Sequence, residues 1–239
     1  MIEEPAFATT LPTGPQVDAF PAKRPGRTTI EGRLVTLMPL DSQAHGEALY
    51  EATRGEAGDR LWLYLFDGPF PSRAAFDAHL QRAAASEDPL FFAIVDRTLK
   101  IATGYAAYMR IEPAHRVIEV GSILYTPRLQ RTPAATEAIY LMARHVFEDL
   151  GYRRYEWKCN ALNARSRRAA LRLGFTFEGV FRQHMIVKGR NRDTAWFSML
   201  DSEWPSGKAN FERWLDPSNF DPNGRQRTPL SAVNKAIGR

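Results

Sequence analysis

Hydrophobic and polar residues alternate with a period of two along RLVTLMPL, residues 33–40, which predicts a strand with one buried face. The next stretch, DSQAHGEALYEATR at 41–54, opens on an Asp-Ser capping signal and continues as a helix, and a second helix is predicted at 72–86. Three strand-like runs follow, LFFAIVD at 91–97, IATGYAAYM at 101–109 and VIEVGSILY at 117–125. The turns between them are short and carry charges or proline, which favours an antiparallel meander. The pattern then changes. Ile139, Met142, Val146, Phe147 and Leu150 recur at helical spacing, so 133–150 reads as a helix, followed by a strand at 154–159 (RYEWKC) and a helix at 163–173. Two more strands are predicted around 175–187 and 193–200, joined by the segment KGRNRDT.

A strand, a long helix and another strand between 117 and 159 make a βαβ unit, so one strand pair must be parallel within a mostly antiparallel sheet. The predicted class is α/β with an α+β arrangement of three layers. Residues 1–28 are rich in Pro, Thr, Gly and Ala without periodicity and are expected to form a mobile arm. Residues 29–204 then make the body. Residues 205–239 form an appendage in which Phe211, Trp214 and Leu215 supply one short docking helix.

Composition narrows the picture. The chain has 239 residues, 44% of them hydrophobic and 25% charged, enough for one substantial core. Its net charge of +5 comes from arginines crowded into 153–192, which points to an anionic ligand. The single cysteine, Cys159, excludes an internal disulfide and argues against a cysteine-rich zinc site; a reducing, cytoplasmic setting is expected. The five histidines show no pair at metal-ligand spacing, so no metal is expected. No apolar run approaches the roughly 20 residues of a membrane span, and a soluble, unprocessed protein is expected.

Candidate chemistry gathers at two helix starts, YTPRLQRTPAATEA and NALNARSRRAALRLGF. In the first, Thr132 reads as the N-cap and Pro133 as the first helical residue, where a missing N–H is harmless. Ala134 and Ala135 follow with free N–H groups and almost no side chain, so a bulky anion can approach the backbone closely.

The order of these elements resembles the GCN5-related N-acetyltransferase (GNAT) superfamily: a strand ending Tyr125-Thr126-Pro127, then Gln130, a phosphate loop and long helix, and a later Asn-containing helix ending Leu173-Gly174-Phe175. Within it, Asn163-Ala164-Arg165-Ser166 followed by LRLGFTFEGVFR is similar to the ribosomal-protein N-terminal acetyltransferases of the RimJ/RimL type. The resemblance spans roughly 30–200, with its specific part at about 117–200. It implies acetyl-CoA as cosubstrate. The pyrophosphate would lie at Gln130, Arg131, Thr132, Ala134, Ala135 and Thr136, the pantetheine along Ile123 and Tyr125, and the thiol near Asn163 and Ser166, with Arg167 flanking a phosphate. The family's Gln/Arg-x-x-Gly-x-Gly/Ala loop here reads Gln130-Arg131-Thr132-Pro133-Ala134-Ala135, so proline replaces the first glycine. The N–H groups of Arg131, Thr132, Ala134 and Ala135 and the helix dipole are expected to serve instead.

Acetyl transfer by direct attack in a ternary complex requires a neutral amine, a polarised carbonyl and a donor for the leaving thiolate. Backbone N–H groups near Ile123 or Tyr125 suit the carbonyl if strand 117–125 splays from 154–159. Glu119 is the candidate base. Many members place a tyrosine four residues before the glycine of Leu-Gly-Phe; this chain has Ala170 there, which leaves Ser166 as the candidate donor. A covalent acetyl-cysteine on Cys159 is not expected, because no histidine is placed to activate it. The acceptor would be a peptide N-terminus or a small amine, chosen by Trp62, Tyr64, Phe66 and the 181–193 hairpin, with His184 beside it. The turn at 188–193 gathers Lys188, Arg190, Arg192 and Asp193 and reads as a solvated hairpin end, with contact to an acidic protein substrate as the alternative. Two rival readings stay open: an arginine-rich nucleic-acid or ribosome-binding module, for which no base-reading signature is present, and an acyl-CoA-binding protein without catalysis. A monomer or homodimer is expected.

Overall fold

A computed structural model describes residues 14–235. Strands β1 (Ile30–Glu31), β2 (Val35–Pro39), β3 (Leu90–Asp96), β4 (Ala102–Glu112), β5 (Val117–Tyr125), β6 (Arg154–Asn160), β7 (Thr176–Val187) and β8 (Arg190–Leu200) form one sheet in the order β1-β2-β3-β4-β5-β6-β8-β7. Only β5 and β6 run parallel; every other neighbouring pair is antiparallel. The helices are α1 (Ser42–Thr53), α2 (Gly55–Asp59), α3 (Arg73–Ala85), α4 (Pro133–Arg144), α5 (Ala164–Arg172), α6 (Trp204–Leu215) and α7 (Leu230–Lys235). The mixed sheet and the βαβ unit expected from the hydrophobic pattern are both present.

Period-two strands give the sheet two apolar faces, and each is covered. On one side Leu49 of α1 and Phe76 and Leu80 of α3 pack on Phe91, Ala93 and Tyr105. On the other, Ile139 and Met142 of α4 and Phe211 of α6 pack with Leu37, Ile118, Tyr155 and Phe197. Asp41 caps α1 by accepting the Gln43 and Ala44 N–H groups, and Ser72 caps α3 through Ala75. Glu137 of α4 accepts the N–H groups of Arg33, Leu34 and Val35, which fixes the helix across the start of β2. Charged hydrogen bonds of this kind contribute about 1.5–3 kcal/mol each.

Three boundaries differ from the sequence expectation for local reasons. The helix expected to run to 150 ends its α-helical part at Arg144 and continues as a π-turn over His145–Asp149. The joining segment of the last hairpin is only Lys188 and Gly189, whose φ values of 50° and 70° make a two-residue type I′ turn, so β8 already begins at Arg190. A short helix and a 3₁₀ turn, Gly55–Asp59 and Arg60–Trp62, also lie between the two predicted early helices.

The arm expected at 1–28 lies partly, at 1–13, outside the described residues. Residues 14–28 contain no helix or strand, and the Ala22 and Lys23 N–H groups donate to the Pro113 and Leu150 carbonyls at 3.0 and 2.9 Å. At the other end, Trp204, Phe211, Trp214 and Leu215 of α6 join the main core, with Trp204 stacked on Phe147 at 5.2 Å. The last four residues, 236–239, are outside the described range.

Candidate active site

Strands β5 and β6 pair from Val117↔Arg154 to Val120↔Trp157 and then part, while β5 continues to Tyr125 and β6 stays paired with β8 as far as Asn160. The cause is local. Ser122 has φ of 46°, and the β4–β5 register slips between Tyr105 and Ala107, so β5 bends with β4 away from β6. Gly121 permits the bend, because a Cβ there would collide with Met109 Sδ. The backbone edge of β5 from Gly121 to Tyr125 therefore has no partner strand on the β6 side.

A cavity of about 130 Å³ occupies this gap. Its lining includes Tyr64, Phe66, Glu119, Ile123, Asn163, Ser166 and Arg192. Asn163 caps α5 by accepting the Ser166 N–H at 3.1 Å, and the Trp157 Nε1–H donates to Ser166 Oγ at 2.9 Å. Cys159 lies in the same wall. Its burial pushes the thiol pKa up, opposed by the Ser166 hydroxyl and nearby arginines, so the thiol stays protonated.

Glu119 is buried, and its Oε2 accepts from Arg110 Nη1 at 2.6 Å and Lys158 Nζ at 3.0 Å. Oε1 points toward Gly121, 3.2 Å from the position of a Cβ there. Desolvation pushes the Glu119 pKa above the ordinary glutamate value, while Lys158 and Arg110 pull against it. Lys158 Nζ also meets Glu156 at 2.6 Å and stands 3.8 Å above the Trp196 ring. Arg154 then joins Glu156 at 2.6 Å to Glu178 at 2.8 Å. A bulge with Arg110 at φ 46° aims that side chain at Glu119.

The phosphate loop is strained at Arg131, a non-glycine residue with φ of 62°. Thr132 Oγ1 accepts the Ala135 N–H at 3.2 Å and donates to the Leu129 carbonyl. This corrects the expectation that the Ala135 N–H is free: the N-cap occupies it. Among the described residues, the N–H groups of Arg131, Thr132 and Ala134 make no hydrogen bond, so three donors of the expected four remain for an anion. Gln130 donates instead to the Tyr125 carbonyl at 2.9 Å. The Tyr125 hydroxyl donates to the Ala135 carbonyl, so that side chain supports the loop from below. Thr136 is buried and accepts from Arg172 Nη1 at 3.1 Å.

Arg167 does not line the cavity; it reaches the Ala161 carbonyl and lies 5.5 Å from the Phe177 ring. His184 shares a hydrogen bond with Thr194 Oγ1 and flanks Trp196. The hairpin end is exposed from Lys188 to Asn191, as expected, but Arg192 of the same segment is buried, and Lys188 Nζ donates to the Trp62 and Asp67 carbonyls, both at 2.8 Å. Arg110 and Lys158 are site residues that sequence reasoning missed, and Arg192 enters that reasoning only as one of the charges of the 188–193 turn. They come from three strands, and no local spacing links them.

A parallel pair that parts beside a capped, anion-ready helix start defines an acetyltransferase of the GNAT class. The family model described as an acetyltransferase (GNAT) domain matches residues 35–176. A GCN5-related N-acetyltransferase from Brucella melitensis is 51% identical over 90% of this chain and 97% of its own, with a TM-score of 0.88. A GNAT-family protein from Chromobacterium violaceum is 40% identical over 84% of this chain and 100% of its own, with a TM-score of 0.73. The structure of RimL, a ribosomal L7/L12 alpha-N-protein acetyltransferase, shares the fold at 21% identity, covering 72% of this chain and 94% of its own, with a TM-score of 0.62. No protein of curated function matches the chain. The chain belongs to the GNAT family of acetyltransferases. No helix among the described residues is long and apolar enough to cross a membrane.

Proposed function

We propose that this protein transfers the acetyl group of acetyl-CoA to a primary amine by direct attack within a ternary complex. One observation carries the reading: a single cavity is lined by the unpaired edge of β5, a buried carboxylate and a serine hydroxyl. The N–H groups of Arg131, Thr132 and Ala134 suit the pyrophosphate, and the β5 edge suits the pantetheine and the thioester carbonyl. Glu119 Oε1 takes the amine proton, directly or through water. The Arg110 and Lys158 charges beside it disfavour an ammonium ion and so favour the reactive neutral amine. Ser166 Oγ donates to the departing thiolate while its lone pair is held by Trp157.

Several arginines that suggested a nucleic-acid surface are engaged internally. Arg154 is paired with Glu156 and Glu178, and Arg172 stacks on Trp214. The test is thermal unfolding with and without acetyl-CoA, followed by thiol release with a panel of amines. At a ligand concentration 100 times Kd, native-state binding adds about 2.7 kcal/mol of stability. No stabilisation by acetyl-CoA or CoA would rule the reading out.

A further inference from the structure

Arg192 is 6% exposed, lines the cavity, and its Nε has no hydrogen-bond partner. Its guanidinium carbon stands 4.8 Å from the Phe66 ring, and no carboxylate among the described residues reaches it. The neighbouring charges offer no spare anion. Arg110, Glu119, Lys158, Glu156, Arg154 and Glu178 alternate in sign along one chain of contacts, each cation matched by an anion. Among the described residues Arg192 makes no ion pair and stands outside that chain, with the already paired Glu119 acting on it only through space. A guanidinium does not escape by losing its proton, and a buried cation without an anion is strongly disfavoured.

We propose that the amine accepted here carries a carboxylate, which Arg192 holds while the amine is presented to Glu119; this rests on the acetyltransferase reading above. The charge balance selects the anion, since one unpaired cation matches a carboxylate rather than a phosphate dianion. The planar guanidinium fork fits a carboxylate with two parallel hydrogen bonds. The cavity selects the size. About 130 Å³ falls well below the roughly 300–1,000 Å³ of pockets for drug-sized ligands, and Lys188 ties the hairpin that carries Arg192 to the Trp62 and Asp67 carbonyls, on the segment that supplies Tyr64 and Phe66 to the lining. An amino acid is the simplest acceptor that joins an amine to a carboxylate within so small a space.

The test compares amines that differ only in the anion: amino acids, their amides, their decarboxylated amines, and phosphoethanolamine. It uses thiol release by the full chain. The wild type should favour the carboxylate over its neutral partner by about 100-fold in kcat/KM, as expected when a site charge is left unpaired by the wrong ligand. R192Q should bring that ratio to within a few-fold of one, R192K should leave it intermediate, and R190Q, on the exposed hairpin end, should preserve it. Calorimetric affinity for acetyl-CoA should stay within about twofold in R192Q. If R192Q does not fold, the wild-type ratio decides alone. Equal rates for amino acid and amide, a preference for phosphoethanolamine, or acetyl-CoA binding with no transfer to any of these amines would each overturn the assignment of Arg192 and leave the cofactor reading standing. Absence of acetyl-CoA binding in the wild type would overturn both.

Discussion

The indole Nε1–H of Trp157 donates to Ser166 Oγ at 2.9 Å, from the last residue of β6 that still pairs with β5 to the first turn of α5. That bond occupies an oxygen lone pair and leaves the hydroxyl proton free to turn toward the gap between the strands. Ser166→Ala should lower kcat by about 10²-fold, the usual loss for one donor to a developing charge. Acetyl-CoA affinity, measured by calorimetry, should change far less. Equal losses in both would make Ser166 a binding residue instead.

Glu119 must be ionised to accept a proton, and burial holds its pKa above the ordinary glutamate value. Activity should therefore rise with pH through that elevated value, and Glu119→Gln should remove this limb of the kcat/KM profile with a loss of about 10²–10⁴-fold. The linkage has a definite sign. A carboxyl whose folded pKa is raised binds its proton more tightly when folded, so its contribution to stability falls as pH rises between the unfolded and folded values. An unchanged profile in the glutamine variant would assign the base elsewhere.

At Arg131 stability and binding should move in opposite directions. Its φ of 62° suits glycine, so Arg131→Gly should relieve about 1 kcal/mol of backbone strain. The same change removes a positive charge beside the position proposed for the pyrophosphate. Denaturant unfolding should show equal or greater stability while Kd for acetyl-CoA rises. A fall in stability together with unchanged affinity would remove Arg131 from the phosphate loop's function.

His45 accepts the Asp41 N–H on Nδ1 at 3.0 Å, which requires that nitrogen to be unprotonated. Burial lowers the pKa of His45, and also that of His79 on the buried face of α3. The unfolded chain then binds more protons, so stability is full above about pH 6.5 and is lost as pH falls toward the folded values. Urea midpoints between pH 8 and 5 should drop through that window, and His45→Asn should flatten the drop. A flat wild-type curve would contradict the buried-neutral assignment.

Much of this was legible in the chain itself. Period-two runs, the Asp41 cap and the helical spacing of Ile139, Met142 and Val146 fix elements because they report backbone geometry over a few residues. Thr132-Pro133 and Asn163 likewise marked helix starts, and these are the starts beside the gap. Local pattern did not show that Thr132 caps Ala135 and so withdraws one donor, since a cap and a ligand compete for the same N–H. Nor did it show that Lys188 and Gly189 alone make the last turn, which moves Arg192 from an expected solvated end into a buried strand.

The sequence by itself determined the fold class, the parallel pair and the two helix starts, because each follows from interactions between near neighbours. Only the tertiary structure decided the charge arrangement around Glu119. Arg110 from β4 and Lys158 from β6 meet at Glu119, and Lys158 shares one cavity with Arg192 from β8, through strand register and the bulges at Arg110 and Ser122; burial then makes the pairing of each charge decisive.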